Sequence, residues 1–137
     1  DPIIQEKATG QEYTIDFFYD GTKLISAVPR KRIETRSGIS YKGQTEKDME
    51  LIDYASRIAK ELNIVGPANI QCFKDCDGVM FTEINPRFSG SLPLTIEAGV
   101  NAPLFALKMA VGEELKPVED FKVVKMCRYW EEVFYGI

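Results

Sequence analysis

The sequence contains no histidine, and its three cysteines form no CxxC pair. No imidazole is therefore available to share a metal ion with the thiols or to move the proton of a serine or cysteine nucleophile. Chemistry in this chain must use carboxylates, amides, lysine, arginine or a hard metal ion. The thiols of Cys72, Cys76 and Cys127 are expected to stay reduced and to pack as small apolar groups.

Two further features are missing. No apolar run approaches the roughly 20 residues that span a bilayer, and the N-terminus lacks the basic and then apolar order of a signal peptide. The net charge is -4, which argues against a nucleic-acid partner held by bulk electrostatics. We expect a cytoplasmic chain with no membrane and no nucleic-acid partner, in which any phosphate site is local.

What the sequence does contain is the composition of one globular domain. Its 137 residues are 45% apolar and 28% charged, which suffices to bury a core. We expect residues 1–137 to fold as a single unit. Alternation predicts a strand over residues 12–19, and the Asp20-Gly21 turn predicts a hairpin to a strand over 22–28. After Pro29, the basic segment 30–36 predicts a strand, loop and strand, or a mobile loop.

The second half alternates hairpins with helices. Thr45 and Asp48 give a capping signal for an amphipathic helix that ends near residue 63. Two strands, two short helices and a last β-rich stretch follow, over residues 68–75, 79–85, 93–98, 103–111 and 123–135. This order predicts the α+β class, with a mainly antiparallel sheet and helices packed on one face.

The register of the second hairpin decides which polar side chains meet. A three-residue loop, Cys76-Asp77-Gly78, pairs Asp75 with Val79. Counting back along both strands then pairs Phe73 with Phe81, Gln71 with Glu83, and Asn69 with Asn85. Because side chains alternate, Gln71, Glu83 and Asn85 project from one face as a cluster of oxygen atoms that suits Mg²⁺. A two-residue loop would instead place Gln71 on the opposite face.

The residues after this cluster suit phosphoryl chemistry. Arg87 offers a bidentate donor next to the oxygen cluster, and residues 89–91 (SGS) offer backbone N–H groups to an anion. A metal ion and an arginine together are what phosphoryl transfer needs, because the transferring group carries spread negative charge.

These residues resemble a known family. Residues 66–71 (GPANIQ), 77–78 (DG) and 83–91 (EINPRFSGS) resemble the C-terminal motif of ATP-grasp domains, especially those of carbamoyl-phosphate synthase large subunits. Residues 10–16 (GQEYTID) are similar to the strand that follows the adenine hinge, and 5–8 (QEKA) to the hinge itself. Residues 98–103 (AGVNAP) and 110–112 (AVG) also match the family pattern.

The resemblance implies a C-terminal ATP-grasp lobe and assigns roles to its residues. It implies that Gln71, Glu83 and Asn85 bind the Mg²⁺ (or Mn²⁺) ions that bridge the phosphates of ATP. Arg87 would stabilise an acyl-phosphate intermediate or its transition state. The family reaction phosphorylates a carboxylate or bicarbonate with ATP, and an amine or other nucleophile then displaces phosphate, so the implied enzyme is a ligase.

The remaining nucleotide contacts are also implied by the resemblance. Glu6 and the backbone of Lys7 and Ala8 would meet adenine, and Glu12 would approach the ribose. The basic segment would reach phosphate or an acidic substrate through one of its four cations, and the sequence does not choose among Arg30, Lys31, Arg32 and Arg36. The other interpretation of this segment is a solvated face.

The N-terminal lobe of an ATP-grasp domain should precede the hinge, yet this sequence begins at Asp1-Pro2. We expect that lobe elsewhere in the protein or on a separate chain, and no complete catalysis by these residues alone. The alternatives are a non-catalytic module used for regulation or for dimerisation, as in a homodimer, and a binding domain without nucleotide. Taken singly, Gln71 and Glu83 also fit a solvent-facing cross-strand pair.

The aromatic residues divide into two groups. Those of the strands are expected in the core: Tyr13, Phe17, Phe18, Phe73 and Phe81. Those near the C-terminus are expected to be exposed here and to pack on protein outside this chain: Tyr129, Trp130, Phe134 and Tyr135.

Overall fold

The central sheet has the strand order β5-β4-β1-β2-β3-β6, and every neighbouring pair is antiparallel. The structure, a computed structural model, describes residues 2–136. The elements are β1 (Gln11–Tyr19), β2 (Leu24–Arg36), β3 (Ile39–Thr45), α1 (Met49–Glu61), β4 (Gly66–Lys74), β5 (Val79–Asn85), α2 (Leu92–Glu97), α3 (Ala102–Ala110) and β6 (Lys125–Cys127). The predicted α+β class with a mainly antiparallel sheet is confirmed.

Helices cover both faces of the sheet, so the prediction of helices on one face was wrong. Alternate residues of β1, including Ile15 and Phe17, pack with Leu51 of α1 in one core. Phe18 points the other way and meets Phe105 of α3 edge to face, with ring centroids 5.7 Å apart. Phe18 thus marks a second apolar surface at one end of the opposite face. Toward the start of β1 that second face carries Glu12, Thr14 and Asp16.

Strand β2 continues through Pro29, where the sequence predicted its end. Pro29 pairs with Ile15 on the β1 side, and its carbonyl accepts a hydrogen bond from the Glu46 amide (2.9 Å) on the other side. Strand β3 has ended at Thr45 by this point, so the missing N–H of proline breaks no ladder bond. The basic segment therefore lies entirely on β2, and Arg30 and Arg32 share one face of the sheet while Lys31 lies on the other.

Two element ends also differ from the prediction. Helix α1 is capped by Asp48, whose Oδ1 accepts from the Leu51 amide (3.2 Å), while Thr45 ends β3 and donates its hydroxyl to the Lys122 carbonyl (2.8 Å). The last strand covers only Lys125–Cys127. The aromatic residues after it are exposed, as predicted: Tyr129, Trp130, Phe134 and Tyr135. None of the helices described is long and apolar enough to cross a membrane.

The three cysteines differ in exposure. Cys72 lies in the core beneath α1, and this burial raises the pKa of its thiol to about 12. Cys76 and Cys127 are exposed, so the prediction of packed thiols holds only for Cys72.

We expect Cys76 and Cys127 to react rapidly with Ellman's reagent at pH 8, and Cys72 to react only after unfolding. Thiolate is the reactive form, and the raised pKa of Cys72 keeps its thiol protonated at pH 8. The closed core also blocks access of the reagent. The final absorbance of the released thionitrobenzoate, measured in buffer and in guanidinium chloride, gives the number of thiols that react in the native and in the unfolded protein. The Cys72→Ala variant should keep the fast pair and lose the slow thiol, and three fast thiols in the native protein would contradict the burial.

Candidate functional site

The register of the β4–β5 hairpin places the predicted oxygen cluster on one face. Gln71 pairs with Glu83, and Asn69 pairs with Asn85, as predicted. The loop is different from the prediction. Lys74 pairs with Val79 across a four-residue turn that the Asp75 amide closes by donating to the Gly78 carbonyl (3.0 Å).

A β-bulge reconciles this turn with the register at the site. The pairing shifts between Gln71 and Cys72, so that Cys72 faces Phe81 and Thr82 is the extra residue. A bulge inserts one residue into one strand and so reverses the facing of all residues beyond it. The predicted pairing of Phe73 with Phe81 was therefore wrong. Phe81 faces α1 and meets Tyr54 (5.2 Å between centroids), while Phe73 pairs with Met80 on the face of the oxygen cluster.

Glu83 is the centre of the cluster. Its Oε1 accepts hydrogen bonds from the side-chain amides of Gln71 and of Asn85, the second at 2.7 Å. Glu83 is exposed, and Gln71 and Asn85 are half-buried. The three groups thus converge on a carboxylate that a ligand from solvent can reach.

Arg32 connects this cluster to β1 and to the β2–β3 turn. Its Nη1 donates to Gln71 Oε1 (2.8 Å) and lies 2.8 Å from Glu12 Oε1, and its Nη2 donates to the Gly38 carbonyl (2.7 Å). Arg32 is only 9% exposed. Its guanidinium therefore fixes Gln71 and Glu12 relative to each other and leaves little surface for a ligand.

Arg30 is more deeply buried and belongs to a separate network. It is 2% exposed, and its Nη2 donates to Asp16 Oδ1 (2.6 Å) and to Ser89 Oγ (2.8 Å). The second oxygen of Asp16 accepts from the hydroxyls of Ser89 (3.0 Å) and Thr95 (2.5 Å). This network ties the segment after β5 and helix α2 to the central strands, beneath the cluster.

The other cations of the basic segment lie elsewhere. Lys31 pairs with Tyr13 and so shares the face covered by α1. Arg36 is exposed, stacks on the Tyr41 ring (3.7 Å to the centroid) and pairs with Glu34 (3.0 Å). Strand alternation and burial thus distinguish the four cations among which the sequence did not choose.

Arg87 presents its guanidinium at the end of the cluster. It is exposed, and it donates to the Phe88 carbonyl (3.0 Å) and weakly to Asn85 Oδ1 (3.4 Å). Asn69 anchors the Arg87 carbonyl (3.0 Å). Within residues 2–136, no carboxylate forms an ion pair with Arg87. Its charge is therefore available to an anion.

A polar cavity of about 210 Å³ lies beside the cluster and is lined by Gln71, Arg32, Arg87, Ser89 and Ser91, among others. Arg87 and the 89–91 segment both border this cavity. Ser91 begins α2 without a side-chain cap, and the Ser89 hydroxyl is held by the Asp16 network. The arrangement can receive a small anion next to the oxygen cluster.

A second cavity of about 210 Å³ lies at the hairpin end of the same face and is lined by Glu6, Thr9, Phe73 and Met80, among others. The sequence assigned Phe73 to the core, but its position two residues from Gln71 in β4 was a signal that it shares the face of the cluster. Glu6 and Lys7 are exposed and Ala8 is half-buried. The predicted hinge residue Glu6 therefore lies near an aromatic side chain that sequence reasoning missed.

The tip of this hairpin carries an exposed group of possible metal ligands, Asp75, Cys76 and Asp77, whose ligand atoms lie within 4.8 Å of one another. Asp75 accepts from the Thr9 hydroxyl (2.8 Å) and from the Asp77 amide (2.9 Å), and these bonds lower the pKa of its carboxyl. These contacts have an ordinary explanation, because an Asp side chain such as that of Asp75 commonly stabilises a turn by accepting from a backbone N–H group two residues later.

Comparisons with known proteins identify the family of this chain. A family model described as ATP-grasp in the biosynthetic pathway with Ter operon matches residues 1–132. The arginine-specific large chain of carbamoyl phosphate synthase from Geobacillus stearothermophilus is 34% identical over 130 residues, which cover 88% of this chain and 12% of that protein.

Solved structures share the fold. A biotin carboxylase complex with β-γ-ATP from Campylobacter jejuni has a TM-score of 0.71 at 16% identity and covers 87% of this chain and 29% of that one. A biotin carboxylase domain of a single-chain bacterial carboxylase has a TM-score of 0.64 at 18% identity, with 78% and 29% covered. The chain thus spans less than a third of each of these relatives. The resemblance noted in the sequence is confirmed, and the chain belongs to the ATP-grasp family.

Proposed function

We propose that this chain is the ATP- and Mg²⁺-binding C-terminal lobe of a cytoplasmic ATP-grasp ligase that activates a carboxylate or bicarbonate as an acyl-phosphate. The observation that carries the proposal is the convergence of Gln71 and Asn85 on the exposed carboxylate of Glu83. Elsewhere, one carboxylate and two amides would be an ordinary group of polar side chains on a strand surface. On the open sheet face of an ATP-grasp chain they form a metal-binding set.

The donor set fits a divalent ion. Mg²⁺ prefers hard oxygen ligands and keeps positions for water and substrate phosphates, so few protein ligands suffice. The N–H groups of both amides now point at Glu83. A half-turn of the Asn85 amide would present its oxygen instead, and the Gln71 oxygen, which accepts from Arg32 (2.8 Å), keeps a second lone pair for an ion. Held by Gln71, Glu83 and Asn85, the ion would neutralise negative charge on the phosphates of ATP.

The nucleotide would lie along strands β4 and β5. From Phe73 through Gln71 to Asn69, the strand advances about 13 Å at roughly 3.3 Å per residue, a length comparable with an extended nucleoside triphosphate. Adenine would lie at the cavity by Glu6 and Phe73, with Lys7 and Ala8 contributing backbone groups. The ribose would approach Glu12, whose β1 position pairs with Phe73, and the phosphates would reach Gln71, Glu83 and Asn85.

Arg87 is the proposed catalytic residue. It has no acidic partner among the residues described, and it borders the polar cavity at the phosphate end of this path. A guanidinium there would stabilise the charge that develops on the transferring phosphoryl group. Arg32 and Arg30 would act through other residues, Arg32 by holding Gln71 and Glu12 and Arg30 by holding the Ser89 segment. Arg36 would contact ligand only from the rim.

The N-terminal ATP-grasp lobe would be the necessary partner. The relatives that this chain matches are much longer, and it covers 29% of each biotin carboxylase chain. Groups from the other lobe would close over the phosphates, because positioning of a transferring group needs contacts on both sides.

Nucleotide binding should depend on the divalent ion. We expect a non-hydrolysable ATP analogue to bind the protein carrying both lobes at least about tenfold more weakly in EDTA than in Mg²⁺, equivalent to about 1.4 kcal/mol. Without the ion, the phosphates would face the negative charge of the Glu83 carboxylate directly. Isothermal titration in the two buffers measures the difference. Equal affinities would contradict a metal-bridged mode of binding.

A further inference from the structure

A larger cavity of about 650 Å³ lies beside the polar cavity, between the start of β3, the start of α2 and the segment after β6. Most of its lining is apolar or aromatic: Ile39, Tyr41, Pro93, Met126, Tyr129 and Trp130. Small-molecule sites typically have about 300–1,000 Å³, mostly apolar walls and a few convergent polar groups. Both the size and the lining of this cavity fall in that class.

The two cavities adjoin each other. Ile39 and Gly90 line both of them, and Gly90 lies between Ser89 and Ser91 of the polar cavity. Arg128 fixes this junction by donating to the Gly90 carbonyl (2.6 Å). A ligand with its anionic end at Arg87 could therefore extend an apolar body past Gly90 into the larger cavity.

We propose, resting on the function proposed above, that the acceptor substrate is a carboxylic acid with an aromatic or bulky apolar body. Its carboxylate meets Arg87 in the polar cavity, where the metal-bound phosphates end, and its body fills the larger cavity against Trp130. Bicarbonate has no such body and would leave these apolar walls without a partner. The metal-binding residues alone would serve any acceptor from bicarbonate to a peptide. The apolar cavity narrows this choice to acceptors with an apolar body.

The test compares three probes that separate the two halves of the site. These are 3-phenylpropionate, propionate without the ring, and 3-phenylpropanol without the carboxylate. Each is titrated into the protein carrying both lobes, with Mg²⁺ and a non-hydrolysable ATP analogue present. Binding is measured by calorimetry. Trp130 is the single tryptophan of this chain and is 84% exposed, so a ligand that covers it should also shift its fluorescence emission to the blue. This second measurement applies where the other lobe contributes no tryptophan signal.

We expect 3-phenylpropionate to bind at least about tenfold more tightly than either other probe. Propionate lacks the apolar body, which is worth about that much in a pocket, and 3-phenylpropanol lacks the carboxylate that would pair with Arg87. The Trp130→Ala variant should remove most of the advantage over propionate. The matched control is Phe134→Ala, which deletes a 92% exposed aromatic side chain from the same segment but outside the cavity lining, and it should retain the advantage.

Equal affinities for the three probes, or equal losses in the Trp130 and Phe134 variants, would overturn this assignment. Binding of the nucleotide analogue, measured in the same samples, separates the two proposals. Retained Mg²⁺-dependent nucleotide binding with no preference for the ring overturns the substrate assignment alone. Loss of that dependence overturns the proposed function and the substrate assignment with it.

Discussion

The Glu83→Gln variant is expected to bind the Mg²⁺ complex of an ATP analogue at least about 100-fold more weakly than the native protein. Loss of an outer-shell partner alone costs about 10- to 100-fold in metal affinity, and Glu83 is proposed as a direct ligand. It is also the only carboxylate among the three candidate ligands, so the substitution removes all of their negative charge. Isothermal titration into the protein carrying both lobes measures the effect.

The fold should survive this change. Glu83 is exposed, and a glutamine at this position keeps an oxygen that can accept from Gln71 and Asn85. The melting temperature should therefore stay within a few degrees, since exposed substitutions usually change stability by less than about 0.5 kcal/mol. The matched control is Glu61→Gln, an exposed glutamate at the end of α1, which should bind nucleotide normally. Equal affinities of the two variants would refute a ligand role for Glu83.

Replacing Asp16 by alanine is expected to destabilise the protein by about 3–5 kcal/mol. The substitution leaves the 2% exposed guanidinium of Arg30 without its counter-ion, and removal of one partner of a buried pair has about that cost. It also removes the oxygen that accepts hydrogen bonds from the hydroxyls of Ser89 and Thr95. A loss of this size is a large share of the stability of a small domain, and urea unfolding at pH 7 measures it.

Asp53 provides the matched control for this ion pair. It lies 3.9 Å from Arg57 on the surface of α1, and both side chains are more than two-thirds exposed. Helix-surface pairs of this spacing contribute about 0.3–0.5 kcal/mol, so Asp53→Ala should be nearly silent. A similar small loss in Asp16→Ala would mean that Arg30 reaches solvent in the native state, and the buried network described here would be wrong.

Counting back from the predicted loop gave the correct pairing at the candidate site, although the loop itself was predicted incorrectly. The sequence around Cys76-Asp77-Gly78 fits a three-residue loop, whereas the chain forms a four-residue turn and then a bulge at Thr82. The two deviations cancel at Gln71 and Glu83. A bulge leaves no local signal in residue types, because it depends on how Phe81 and Cys72 pack under α1.

The ranking of the arginines needed the tertiary structure. The sequence predicts the end of a strand at Pro29, but Pro29 lies just past the end of β3, where its missing N–H breaks no hydrogen bond of the sheet. The strand therefore continues and alternates Arg30 and Arg32 onto the site face. Which of them contacts Asp16 and which contacts Gln71 follows from long-range pairing across β1 and β4, and periodicity along one strand carries no such information.

The most direct test of the metal assignment is the position of Mn²⁺ in crystals of the protein carrying both lobes, grown with a non-hydrolysable ATP analogue. Anomalous scattering locates the ion without reference to the protein coordinates. Our account predicts a peak at roughly 2.0–2.3 Å from oxygens of Gln71, Glu83 or Asn85 and next to the analogue's phosphates. A peak at the exposed Asp75 and Asp77 turn, with none beside Glu83, would contradict it.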